Sequence, residues 1–88
     1  MSLATYAPPE AAKWWTNRVT PPDVHAARRW VRTQLAARGL DGPVVDDAVL
    51  VASELLTNAA QHAGGEAELT LLVEADRLTL TCGDRAVH

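Results

Sequence analysis

Glu54, Asn58 and His62 recur at intervals of four within Ser53-Glu54-Leu55-Leu56-Thr57-Asn58-Ala59-Ala60-Gln61-His62-Ala63-Gly64-Gly65. On a helix of 3.6 residues per turn such positions drift slowly around the axis, with neighbours about 5–6 Å apart at Cβ. A carboxylate, a carboxamide and an imidazole on one stripe can share a single ligand. The carboxylate can orient or deprotonate a hydroxyl brought beside it.

The element that must carry this stripe is a helix beginning near Pro43, a residue suited to a first helical position. Asp46 and Asp47 sit favourably for the positive end of its macrodipole, and Gly64-Gly65 ends it. Val45, Ala48, Val49, Ala52, Leu55, Leu56, Ala59 and Ala63 make it apolar over most of its surface, with Leu50 and Val51 turned towards Glu54 and Asn58. Such a helix is expected to be largely buried. An unsatisfied polar group beside apolar surface costs roughly 1–3 kcal/mol, so the stripe needs partners. An intramolecular hydrogen-bond network and a bound ligand both satisfy that need.

Composition bounds what the rest can be. Eighty-eight residues make one small domain with a modest core. A formal charge of −3 and a pI near 5.4 argue against a nucleic-acid binder, which normally carries a basic excess. The single cysteine, Cys82, excludes an internal disulfide and fits a buried thiol in a reducing cytoplasm. The start Met1-Ser2-Leu3-Ala4-Thr5 lacks a basic leader, and no run reaches membrane-spanning length. A cytoplasmic chain with no membrane contact is expected.

Residues 1–12, with Pro8-Pro9, read as an irregular arm, and residues 13–88 as the domain. Lys13-Trp14-Trp15-Thr16-Asn17-Arg18-Val19-Thr20 is rich in strand formers and reads as a first strand ended by Pro21-Pro22. Its adjacent tryptophans then point to opposite faces, one into the core and one outward. A first helix is predicted from about Pro22 or Asp23 to Arg38, capped near Thr20 or Pro21 and terminated by Gly39. Val24, Ala27, Val31 and Leu35 are its core stripe, opposite His25, Arg28, Arg29 and Arg32. That basic face reads either as a solvated surface or as a contact for an acidic partner or a phosphate. His25 has no companion at metal-ligand spacing.

After the stripe the period changes to two. Ala67, Leu69, Leu71 and Val73 alternate with Glu66, Glu68, Thr70 and Glu74, as a half-buried strand requires. Ala75-Asp76-Arg77 turns the chain into a second alternating strand whose apolar members are Leu78, Leu80 and Cys82. Strand, helix, helix, strand, strand predicts an α+β fold: a two-layer sandwich with both helices on one face of a mixed or antiparallel sheet.

The string Ser53-Glu54-Leu55-x-Thr57-Asn58-Ala59-x-x-His62-Ala63-Gly64 resembles the N-box of the ATP-binding domain shared by sensor histidine kinases, type II topoisomerases and bacterial anti-sigma-factor serine kinases. The branch it resembles most is the anti-sigma-factor one, and the likeness runs from the tryptophan-rich segment to Asp84. The resemblance implies a partial Bergerat fold that binds ATP and Mg²⁺. By position, Glu54 becomes the general base, Asn58 the Mg²⁺ ligand, and His62 a neighbour of the phosphates. Asp84, at the end of the last strand, becomes the reader of the adenine amino group. Ala86 and His88 stand where an Asp-x-Gly-x-Gly motif carries glycines.

The same resemblance implies a C-terminally truncated copy without the lid and the second glycine-rich box, hence weak ATP binding. An unpaired sheet edge in such a copy is relieved by a homodimer or a heterocomplex. Three functions follow as expectations. One is a serine/threonine kinase-like regulator acting on a sigma-factor or anti-anti-sigma-like partner, and another is an interaction module that keeps the fold without catalysis. The third is an ATPase or histidine-kinase-like fragment, disfavoured because no phosphoacceptor-histidine helix is evident.

Overall fold

The first helix starts where Thr20-Pro21-Pro22-Asp23 leaves no choice. Pro21 and Pro22 have no N–H to satisfy, so the first turn carries fewer orphan donors than usual. Asp23 reaches back, and its Oδ2 accepts from the Thr20 backbone N–H at 2.9 Å and from Thr20 Oγ1 at 2.6 Å. The Val24 N–H then donates to the Thr20 carbonyl, opening the helical ladder. In the computed structural model, which describes residues 10–62, 66–74 and 77–83, this helix is α1 (Pro21–Ala37).

Its other end is fixed by Gly39, at φ +78°. The Gly39 N–H donates to Ala36 and the Leu40 N–H to Leu35, each at 3.0 Å, the paired bonds of a Schellman turn. Leu40 packs back on the core beside the same helix. Gly42, at φ +71°, then supplies the carbonyl that accepts the first bonds of α2 (Pro43–His62), from Val45 and Asp46. Two left-handed glycines three residues apart thus fold the helices into an αα-hairpin. Arg32 and Asp46 bridge it at 3.2 Å.

The sheet comprises β1 (Glu10–Thr16), β2 (Ala67–Val73) and β3 (Leu78–Gly83), antiparallel throughout and in the order β1-β2-β3. Its register aligns Trp14 with Leu69 and Cys82, and Ala12 with Leu71 and Leu80, on the face that meets the helices. Ala27, Val31 and Leu35 of α1, Val45, Ala48, Val49, Ala52 and Leu56 of α2, and Ala67, Leu69 and Leu71 of β2 are buried together. The predicted two-layer α+β architecture is what forms, and its core stripes are those that the two periodicities mark. α1 lies towards β1 and α2 towards β3.

Two expectations are corrected. The first strand runs from Glu10 to Thr16, not from Lys13 to Thr20, so residues 10–12 belong to the sheet and not to an irregular arm. Ala11 and Ala12 pair with Leu72 and Leu71, because the central strand needs a partner along its whole length. The strand ends early because Thr16 Oγ1 donates to the Arg18 carbonyl and accepts from its N–H, bending the chain. Thr20 is then committed to capping α1. The second correction concerns α2, whose apolar content is not matched by its burial: Val44, Leu50 and Val51 are exposed, Leu50 at 59%. Only one side of the helix meets the sheet and α1.

The tryptophans divide as the alternation requires. Trp14 packs on the core, while Trp15 is 43% exposed and donates from Nε1 to Glu66 Oε2 at 3.4 Å. The expected helix stop at Gly64-Gly65 and the turn residues Ala75 and Asp76 lie outside the described residues. The Glu74 N–H donates to the Arg77 carbonyl across that turn at 2.8 Å.

Candidate functional site

Helical spacing puts Glu54 and Asn58 one turn apart on α2, and the burial of Ala52 and Leu56, each two residues before one of them, turns both away from the core. Both are exposed, and neither makes a hydrogen bond or ion pair with the described residues. The expected burial of the stripe is therefore corrected, and of the two partners expected for it, an internal hydrogen-bond network or a bound ligand, the first does not form among the described residues. Glu54 and Asn58 face water and carry no burial penalty, which leaves their oxygens available to a ligand. His62 closes the helix, but its side chain lies outside the described set, as does all of Asp84.

Beside the pair opens a hollow of about 530 Å³ lined by Val51, Ser53, Glu54, Leu55, Thr57 and Asn58. All six residues come from α2, so the hollow is a shelf along the helix and not a closed cleft. Along the same flank, Val44, Asp47, Ala48 and Val51 of α2 and Leu78 and Leu80 of β3 enclose a further 260 Å³ or so. Val51 lines both hollows, the first beside Glu54 and Asn58 and the second beside Leu78 and Leu80.

The lining residues that the sequence reading passed over are Ser53 and Thr57. Each repeats the four-residue spacing of Glu54 and Asn58 one position earlier, a signal that was present. Their hydroxyls are engaged: Ser53 Oγ donates to the Val49 carbonyl at 3.0 Å, and Thr57 Oγ1 to that of Ser53 at 2.8 Å. They shape the wall and leave ligand contacts to Glu54 and Asn58.

Among the described residues no three His, Cys, Asp or Glu side chains cluster as a metal cage would require. A carboxamide and a carboxylate, both without partners among the described residues, are instead the donors suited to a hard cation that arrives with other oxygen ligands. Mg²⁺ prefers six oxygens, keeps several waters, and usually takes only one or two from protein. The donor set fits such an ion.

The fold is a two-layer α+β domain that carries an exposed carboxylate and carboxamide one helical turn apart on α2. A family model described as the histidine kinase-like ATPase domain matches residues 18–88, and the chain belongs to that family. Its members bind ATP, generally with Mg²⁺. Neither the curated proteins nor the solved structures contain a match to the chain. No described helix is long and apolar enough to cross a membrane.

Proposed function

We propose that the chain is a cytoplasmic ATP-binding regulator resembling the anti-sigma-factor serine kinases, acting through Mg²⁺·ATP on a partner protein of the sigma-factor or anti-anti-sigma kind. The observation that carries this reading is the exposed pair Glu54 and Asn58, one turn apart above an open hollow and without partners among the described residues. Asn58 is assigned the metal through its amide oxygen and His62 the phosphates. Asp84, which follows β3 in sequence and lies outside the described residues, is assigned the adenine amino group by the resemblance alone.

Glu54 would hold the attacking serine hydroxyl of the partner and take its proton as the oxygen bonds to the γ-phosphorus and ADP departs. Bound Mg²⁺ supplies charge neutralisation on the phosphates. Leu55 and Val51 would exclude water from one side of the reacting groups. Holding acceptor and phosphate in line supplies much of the rate in such transfers.

A second reading, an interaction module that binds a partner without catalysis, is favoured by the six-residue lining drawn from α2 alone. Calorimetric titration with Mg²⁺·ATP separates the two. Heat that vanishes in Asn58→Ala supports the nucleotide site; no heat at millimolar nucleotide leaves the interaction module. Light scattering on an eluting peak tests the associated state that both readings entail, and a monomer at micromolar concentration rejects it.

A further inference from the structure

The two edges of the sheet differ in chemistry. β1 carries Glu10 and Lys13, and charges on an edge discourage pairing with further strands. β3, at the other edge, reads Leu78-Thr79-Leu80-Thr81-Cys82-Gly83, with no charged residue and no proline. Among the described residues no strand lies beyond it. It has none of the features that keep an exposed edge single.

The hairpin decides which backbone groups of β3 are open. The Glu74 N–H donates to the Arg77 carbonyl, which makes Glu74 and Arg77 a hydrogen-bonded pair, and the bonded and non-bonded pairs alternate from there. Thr79, Thr81 and Gly83 therefore bond through their N–H and C=O groups to Leu72, Thr70 and Glu68 of β2. Leu78, Leu80 and Cys82 turn theirs to the open edge, while their side chains face the helices. Beside that edge lies the hollow of about 260 Å³ formed by Leu78 and Leu80 with the α2 flank, where Val44 and Val51 are each 41% exposed. Backbone donors and acceptors and open apolar surface thus run side by side.

We propose that β3 pairs antiparallel with β3 of a second copy, about a two-fold axis that passes by Leu80 perpendicular to the sheet. This register opposes Leu80 to Leu80 and Leu78 to Cys82, so every N–H and C=O that these residues turn outward gains a partner. Sliding by two residues either way leaves Leu78 or Cys82 unmatched. The axis puts the helices of both copies on one face, where Leu80 and the α2 flank of each cover the hollow of the other. On the opposite face Thr79 meets Thr81 of the second copy at a non-hydrogen-bonded position, where side chains approach most closely. A second copy is favoured over a foreign extended segment because β2 already holds each strand in place, so neither has to be ordered on binding. The absence of charge from Leu78 to Gly83 leaves nothing in the strand to repel its own copy. The pairing gives a surface to the associated state proposed above and does not depend on nucleotide.

Light scattering on the full chain without nucleotide, from low to high micromolar concentration, should show the mass rising from monomer to dimer. Thr79→Lys/Thr81→Lys sets lysine against lysine across the pair and should weaken association about tenfold or more. Thr79→Lys/Thr81→Glu sets opposite charges against each other in the same register and should restore it, a recovery that a misfolded chain cannot give. A monomer at every concentration overturns the pairing. So does a first variant that associates as tightly as the native chain, or a second variant no tighter than the first. Association unchanged in both variants would leave the associated state standing on some other surface, and none of these outcomes touches the Glu54 and Asn58 assignment, which the Mg²⁺·ATP titration decides.

Discussion

Arg32 and Asp46 meet at 3.2 Å between α1 and the first turn of α2, with half or more of each side chain still in water. The bridge reports how the helices align more than it holds them together, since the Gly39 and Gly42 turns and the buried stripes already fix that alignment. Exposed pairs contribute roughly 0–1 kcal/mol. Asp46→Asn is accordingly expected to shift the urea midpoint only slightly, and the residual effect should fade in high salt. A loss of several kcal/mol would mean that the hairpin depends on this contact.

Glu54 and Asn58 carry a sharper expectation because they do so little for the fold. Both are exposed and without partners among the described residues. Glu54→Gln and Asn58→Ala should leave thermal stability within about 0.5 kcal/mol of the native chain. In a phosphoryl-transfer assay Glu54→Gln should retain nucleotide binding and lose turnover by about 10²–10⁴, the usual worth of a positioned base. Equal loss of binding and turnover would instead make Glu54 a ligand group.

Leu56 and Leu50 form a contrasting pair on the same helix. Leu56 is fully buried and Leu50 is 59% exposed. Leu56→Ala should cost about 2–5 kcal/mol through lost transfer energy and the cavity left behind. In so small a domain that is a large share of total stability, and denaturant unfolding should show the fold failing or nearly so. Leu50→Ala should be close to neutral in the same experiment.

Much of this fold is legible in the amino-acid sequence. The change from helical spacing through α2 to strict alternation in Ala67–Val73 marked both layers, and the buried set Leu69, Leu71, Val31 and Leu35 is the one those periods pick out. Strand β1 was misplaced because Glu10, Ala11 and Ala12 are poor strand formers held only by pairing with Leu71, Leu72 and Val73, a long-range contact that local propensity does not contain. The site was legible as a spacing, Glu54 to Asn58, but not as an environment. Hydrophobic content around those residues suggested burial, whereas exposure depends on which sides of α2 the sheet and α1 reach. Leu50 and Val51 look like core residues in sequence and are not.

Cys82 supplies the pH dependence. Its thiol faces the helices from β3, half-buried, and desolvation raises its pKa above the ordinary 9.0. The thiolate is the disfavoured form in the folded chain, so the unfolded chain releases its proton first. The stabilisation is fully present below the unfolded pKa, begins to fall as pH rises through about 9, and is exhausted once pH passes the folded value. Other groups titrate in that range, so the informative quantity is a difference: native chain minus Cys82→Ala, measured by urea unfolding at neutral and alkaline pH. The native chain should lose more stability over the interval than the variant. The same desolvation should make alkylation of the folded chain by iodoacetamide at neutral pH slower than alkylation of the urea-unfolded chain, because the reactive thiolate is scarcer. Equal rates in the two states, with equal pH slopes in native and variant chains, would show that β3 does not hold this thiol against the core.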